Sequence, residues 1–600
     1  MTVLLDRRFE RALDRLVREW GNGEYRGSMI EAWLFEDEEP RRRAEGLLAE
    51  AGVTARIRSA YKPLVHAFLE DIDTAGLARV TIRYPIHESA DPIRFLSEAY
   101  PLPALLEEVD VTFEPGEADL IYRVRCEYSD GRVADHAVFA PNRLRANPIG
   151  RSDLACGGWI RATNLPDGAP DWDEPFETEI EQVFQAAMHA LKIHDWPQQE
   201  PYAQTIAIDV TIAGIERPLG YGDEVMSTRE ALHEDLYFSA LEWFHHRAGR
   251  ALDDRTLMPG RIVPDIRGGD GEAWVHVALR AFAPPRDPEK PLQDLERAEA
   301  PPGLLQIEQE LAALPGDGFQ SISCEGRFVR GIYRSGPRAA ILVTSGQHAN
   351  ETSGPVGAFR AVRRLLANPD ANIAFIPVEN PDGYVLHGRL CENNPRHLHH
   401  AARYTSLGSD LEYGPEEPVH ELGARRKALE LSGAQLHVNL HGYPAHEWTR
   451  PFTGYLPRGF EQWALPKGFF LILRYHPSWS GTARTFIEAV TRGLSAVPGL
   501  ADFTRRQLEL CSTHSGTAPH EMINDVPCLL AAQERHPTPL TLITEFPDET
   551  IYGEAYRFAH TVQMATVIAA EEAFATIMEA GASDALAESA IGDDPTPRSS

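Results

Sequence analysis

The stretch ILVTSGQHANETSGPVGAF, residues 341–359, decides how this chain is read. A β-branched apolar run ends in Ser345-Gly346, His348 and Glu351 follow three residues apart, and Gly354-Pro355 opens a helical pattern. A buried strand with a His and a Glu at its mouth reads as half of a metal site awaiting a third ligand. The competing reading is a polar loop with both side chains solvated, because H-x-x-E alone is common by chance. The rest of the chain decides between them.

Short β-branched runs alternate with helical patterns on either side of this stretch: AAILVTSG, SGPVGAFRAVRRLLANP, NIAFIPVEN, AQLHVNLHG, GTARTFIEAVTRGL and LTLITEF. Such alternation predicts an α/β fold over residues 304–580, a mixed sheet with helices on both faces. Sites in sheets of this kind form at the carboxyl ends of strands. AQLHVNLHG carries His441 at its end and LTLITEF carries Glu545. Three strand ends thus bring His348, Glu351, His441 and Glu545 to one rim. Two His and one carboxylate form a catalytic zinc set, and a further, non-ligating carboxylate can take a proton from water. His437, four residues before His441 and on the same strand face, competes as ligand, but His441 has the strand-end position followed by Gly.

With 600 residues, the chain is long enough for two to four domains. Its 58 Lys plus Arg against 89 Asp plus Glu give a net charge of -31, which argues against nucleic acid and anionic membrane surfaces as partners. No apolar run is long enough for a membrane span. The six cysteines form no C-x-x-C pair and read as free thiols of a reducing compartment, so a cytoplasmic protein is expected. The opening MTVLLDRRFERALDRLVREW reads as an amphipathic helix without the apolar core of a signal peptide.

Residues 1–285 read as an α+β region of unassigned role, with two subdomains split near 165 at the Pro/Gly/Asp-rich NLPDGAPDWDE. Residues 286–303 read as a linker and 581–600 as a flexible tail. The glycine cluster in GRIVPDIRGGDGEAW, 260–274, reads as a hairpin turn rather than a phosphate loop. His397, His399 and His400 read as loop residues near the cleft rather than as a second metal cluster.

Four pieces, GQHANE (346–351), ENPDGY (379–384), NLHG (439–442) and TEFPDETIYG (544–553), resemble the carboxypeptidase A-like zinc carboxypeptidases, the funnelins, over roughly residues 320–575. The resemblance implies one zinc ion per chain on His348, Glu351 and His441, with Glu545 as general base. It also implies an arginine that stabilises the oxyanion beside the zinc. In the cytosolic branch that arginine stands seven residues before the Asp of a D-L-N-R motif, which here selects Arg403 before Asp410, with Arg396 and Arg389 as nearby alternatives.

The chain departs from the family where D-L-N-R is expected and reads Asp410-Leu411-Glu412-Tyr413. Glu412 and Tyr413 stand where relatives grip a terminal carboxylate, and a Glu repels the group an Arg fork would bind. The family's Tyr in the loop before the general base is also missing: THSGTAPHEMINDVPCLLAAQ offers His514 and His520 instead. Three readings stay open. The substrate's distal group is cationic or neutral, another arginine such as Arg389 or Arg450 holds a carboxylate, or the site binds without catalysing. The expected function is zinc-dependent hydrolysis of a peptide or amide bond. A deacylase of small N-acyl amino acids and an inactive binding module are the alternatives. The expected partner is a peptide or small amide substrate, with homo-oligomerisation through the N-terminal region kept open.

Overall fold

The structure is a computed structural model that describes residues 1–282, 287, 289–414, 419–516 and 520–591, with side chains through Ala580. In the C-terminal region nine strands form one sheet. They are β1 (Asp317–Ile322), β2 (Phe328–Arg334), β3 (Ile341–Ser345), β4 (Ile373–Ile376), β5 (Leu436–Pro444), β6 (Phe470–Tyr475), β7 (Glu521–Ile523), β8 (Val526–Ala532) and β9 (Leu540–Glu549). Their spatial order is β1-β2-β4-β3-β5-β9-β6-β8-β7. Strands β4, β3, β5 and β9 run parallel, and β6 lies antiparallel to β9.

The period-2 rule explains the layers. Ile341 and Val343 of β3 belong to a core with Val356, Phe359 and Val362, whereas Leu342 belongs to a second core with Ala424 and Ala428. The helices that supply those residues, Ser353–Leu365 and Leu422–Ser432, therefore cover opposite faces of the sheet. A helix from Gly553 to Ile591 adds Val562 and Val567 to the first core. The remainder of the tail expected at 581–600 lies outside the described residues.

Residues Leu295 and Ala298, within the segment expected as a linker, are buried in the first core, and 283–286 and 288 lie outside the described residues.

The N-terminal region is α+β, with three four-stranded sheets. One has the spatial order Thr2–Phe9, Ala273–Arg280, Thr205–Ile212, Arg261–Gly268. Two expectations are corrected here. Thr2–Phe9 is an edge strand and the helix begins only at Ala12, because pairing with Ala273–Arg280 overrides a weak local helical pattern. The glycine cluster near 268–271 does not join a hairpin, since the strands on either side of it are separated in the sheet by Thr205–Ile212.

Across this sheet packs α1 (Thr228–Ala248), a helix buried over most of its circumference. Ser227 caps it by accepting from the Glu230 amide at 3.0 Å. Phe238 and Phe244 of α1 share an apolar cluster with Trp448, Phe452 and Tyr455 from the segment between β5 and β6. The two regions are thus joined through a common core.

Candidate metal and substrate site

Loop geometry at the end of β3 sets the first two ligands. Gly346 takes φ +64 and turns the chain where a Cβ would stand 3.2 Å from the Val378 backbone. His348 and Glu351 follow, and the next helix starts at Ser353, whose amide donates to Asp548 Oδ2 at 2.8 Å. His441 comes from β5, and its register partner on β9 is Glu545. Gly442 donates its amide to Glu351 Oε2 at 3.1 Å, and a Cβ there would collide with the Asp548 carboxyl at 2.0 Å. This contact explains the Gly in NLHG.

The donor atoms converge. His348 Nδ1 lies 2.7 Å from Glu351 Oε1, His441 Nδ1 lies 2.9 Å from Glu351 Oε2, and the two Nδ1 atoms are 3.2 Å apart. All three residues are buried, and among the described residues this is the one group of His, Cys and carboxylates that converges closely enough to hold a metal ion. Two imidazole nitrogens facing each other beside a carboxylate are a poor hydrogen-bonding arrangement but a good two-nitrogen, one-carboxylate set for zinc. The residues therefore fit the metal.

Charges around the set are arranged in pairs. Arg403 Nη1 donates to Glu351 Oε1 at 2.7 Å. Burial pushes the Glu351 carboxyl up, but His348, Arg403 and His441 outweigh it and hold the group well below its ordinary range. Glu545 has no hydrogen-bond or ion-pair partner among the described residues, and the charges of Arg403 and Lys467 only partly offset its surroundings. Burial, then the charge of Glu351, push it well above the usual carboxylate range. Asp410 Oδ2 stands 3.5 Å from His348 Nε2, and Gln347 Nε2 donates to Asp410 Oδ1 at 3.1 Å, so a held carboxylate lies beside the far side of the His348 ring.

A cavity opens over these residues, lined by His348, Arg403, His441 and Glu545, and also by Glu412 and Tyr413. Arg389 is exposed near the end of its helix, and Arg396 pairs with Asp223 at 2.6 Å; neither lines the cavity. Arg450 is fully buried and bonded to Glu242 and Ser239. Of the three loop histidines only His400 reaches the cavity, stacked on Trp448 at 4.2 Å, with its Nδ1 bonded to Glu234 Oε2 of α1 at 2.7 Å. His514 is buried elsewhere and donates from Nδ1 to the Leu96 carbonyl at 2.7 Å.

Glu412 does not project freely. Arg425 bonds it directly while also holding Glu379 through Nε at 2.8 Å and Nη2 at 2.6 Å, and His536 Nδ1 lies 3.2 Å from Glu412 Oε1. Several lining residues were not read from the sequence: Phe238 and Arg255 from the N-terminal region, and Ile472 and Arg474 from β6. The signal for Arg474 was present, since a charged residue inside the apolar run FFLILRY is unusual for a buried strand. Nothing in α1 marked its contribution.

A family model described as zinc carboxypeptidase matches residues 321–412. This region is zinc carboxypeptidase-like. The match includes His348, Glu351, Arg403 and Asp410, and stops before His441 and Glu545. Solved structures similar to this chain include a metallo-carboxypeptidase from Burkholderia cenocepacia, 15% identical, covering 52% of this chain and 76% of that one with a TM-score of 0.30. Another is the metallo-carboxypeptidase from Pseudomonas aeruginosa in complex with (2-guanidinoethylmercapto)succinic acid, 15% identical over 50% of this chain and 71% of that one, TM-score 0.27. A third is carboxypeptidase A from Helicoverpa armigera, 12% identical over 46% and 71%, TM-score 0.29. No curated protein matches the chain.

Proposed function

We propose that this zinc carboxypeptidase-like protein hydrolyses a peptide or amide bond, with one zinc ion held by His348, Glu351 and His441. The observation that supports it best is the convergence of two imidazole nitrogens and a carboxylate beside a second buried carboxylate, Glu545, that has no hydrogen-bond or ion-pair partner among the described residues. When bound, zinc supplies Lewis-acid polarisation of the scissile carbonyl and lowers the pKa of water. Glu545 takes the proton of the attacking water and returns it to the departing amine, a role suited to a carboxyl whose affinity for protons is raised. Arg403 offers its guanidinium to the developing oxyanion. Asp410, held by Gln347, lies beside the His348 ring. The six cysteines are all free, in keeping with a reducing, cytoplasmic setting.

The test is direct. Zinc-loaded protein is incubated with a mixed panel of peptides and N-acyl amino acids, and products are read by mass spectrometry. Glu545→Gln is expected to keep zinc and to lose about a hundredfold or more in rate. Cleavage that persists at the wild-type rate in the variant excludes Glu545 as the base. A wild type that binds zinc and cleaves nothing excludes hydrolysis. Selective loss of N-acyl amino acids, with peptides untouched, selects the deacylase reading.

A further inference from the structure

The cavity continues beyond the metal ligands, and sheet register orders its floor into three tiers. His441 and Glu545 form the first, Asn439, Ile543 and Ile472 the second, and His437, Thr541 and Arg474 the third. Alternate residues on one strand face are about 6.5–7 Å apart, so the third tier lies about 13 Å from the first along the strands. The middle tier is apolar except for Asn439. Its amide group is engaged, accepting from Thr344 at 2.9 Å and donating to Gln347 at 3.0 Å.

The third tier carries a cation without a counter-ion. Arg474 is half-buried and makes no ion pair with a carboxylate among the described residues. Its Nη1 donates to His536 Nε2 at 3.1 Å. His536 Nε2 is then an acceptor, so the ring proton sits on Nδ1, which faces Glu412 Oε1 at 3.2 Å. His536 thus bridges Arg474 and Glu412. Glu412 does not neutralise Arg474, because its other oxygen is taken by Arg425. The guanidinium therefore keeps free N–H donors at the end of a slot whose walls, Ile472 and Ile543, suit an aliphatic stem.

We infer that Arg474 sets the specificity of this cavity, and that the departing part of the substrate is an amine on a short aliphatic stem ending in a carboxylate bound by Arg474. This rests on the hydrolase reading above. Carboxylate recognition is thereby moved from the 412–413 position, where this chain has Glu and Tyr, to a strand on the far side of the general base. A planar guanidinium fork binds a carboxylate through two parallel hydrogen bonds, which neither an amide nor an ammonium can reproduce.

The experiment uses the zinc-loaded full chain and three N-benzoylglycyl amides, with 5-aminopentanoate, 5-aminopentanamide or 1,5-diaminopentane as the departing amine. Wild type is expected to favour the carboxylate over the carboxamide by about tenfold or more in kcat/KM. Arg474→Gln is expected to bring that ratio to about one, and Arg474→Lys, which keeps the charge without the fork, to an intermediate value. A wild type that favours the carboxamide or the diamine, or a Gln variant that keeps the wild-type ratio, overturns the assignment. If the Gln variant does not fold, as judged by zinc content and circular dichroism, the Lys variant carries the same criterion. If no amide is cleaved, the hydrolase reading is what has failed, and glutarate binding by calorimetry decides the Arg474 claim separately. A loss of about tenfold in affinity in the variants supports it, and equal affinity overturns it.

Discussion

Two groups of buried acids, one on α1 and one at the rim of the sheet, differ in how their charges are met. On α1, every carboxylate has a dedicated partner from the C-terminal region. Glu230 meets His446 at 2.9 Å, Glu234 meets His400 at 2.7 Å, Asp235 accepts from the Phe452 amide at 2.7 Å, and Glu242 meets Arg450 at 2.5 Å and Arg458 at 2.6 Å. At the rim, Glu351 is met by Arg403 and by both imidazoles, the two His nitrogens face each other, and Glu545 has no hydrogen-bond or ion-pair partner among the described residues. Buried acids alone therefore mark nothing. The functional site shows itself by donor atoms aimed at a common point, whereas at the interface each acid is met by its own partner.

That contrast can be broken most forcefully at the rim. His348→Ala and His441→Ala are each expected to strip the metal and cost several kcal/mol of transition-state stabilisation, a thousandfold or more in rate. The fold should survive, since these residues sit at the mouth of the sheet rather than in a core. Full zinc content by elemental analysis in both variants would remove them from the site.

Next in size is the interface. Glu242→Ala leaves Arg450 buried with one fewer counter-charge, and breaking a buried pair of this kind costs about 3–5 kcal/mol. The expected readout is a large drop in melting temperature with zinc content unchanged in the protein that remains folded. An unchanged melt would mean that the α1 pairs are not what holds the two regions together.

A smaller effect follows from protons. Burial lowers the proton affinity of His446, but Glu230 and the nearby Glu224 and Asp223 outweigh it and raise the group to about 9. A His whose folded pKa exceeds its unfolded value stabilises fully below about 6.5, and that stability is lost as pH rises through about 9. The loss should amount to about 3 kcal/mol across that window. Melting curves of wild type and His446→Gln compared at pH 6.5 and pH 9 test this. A variant that loses as much stability as wild type over the same interval assigns the effect to other groups.

The smallest change tests the support of a ligand rather than the ligand itself. Asp410→Asn keeps shape at His348 Nε2 but removes the charge beside the ring. Zinc affinity should fall about 10- to 100-fold, as for other groups that hold a metal-ligating His. Unaltered affinity in a competition titration would leave Asp410 as a structural residue only.

What could be read from the amino acids follows the same division. The α/β sheet was legible because β3, β5 and β9 are short apolar runs between helical patterns, and His441 and Glu545 announce themselves by type, although β5 and β9 run on past them to Pro444 and Glu549 rather than ending there. The resemblance to zinc carboxypeptidases was legible from the four short motifs for the same local reason. The α1 pairs were not legible. Glu242 and Arg450 are 208 residues apart, and each looks like an ordinary surface charge in its own segment. Arg255 escaped for a similar reason, since only the packed interface brings it beside Asp410 at 3.5 Å. The strand Thr2–Phe9 was hidden by its own composition, because charges at Asp6, Arg7 and Arg8 read as a helix face until the partner strand is known.

That partner strand also sets a timetable. Phe9 pairs with Ala273 and Thr2 with Leu279, so the first strand leaves the ribosome long before anything it can pair with has been made. At roughly 5–20 residues per second, the wait is on the order of ten to fifty seconds. During that interval the segment is an unpaired edge open to any neighbouring nascent chain, and its run of Asp and Arg side chains is what makes such a partner unwelcome.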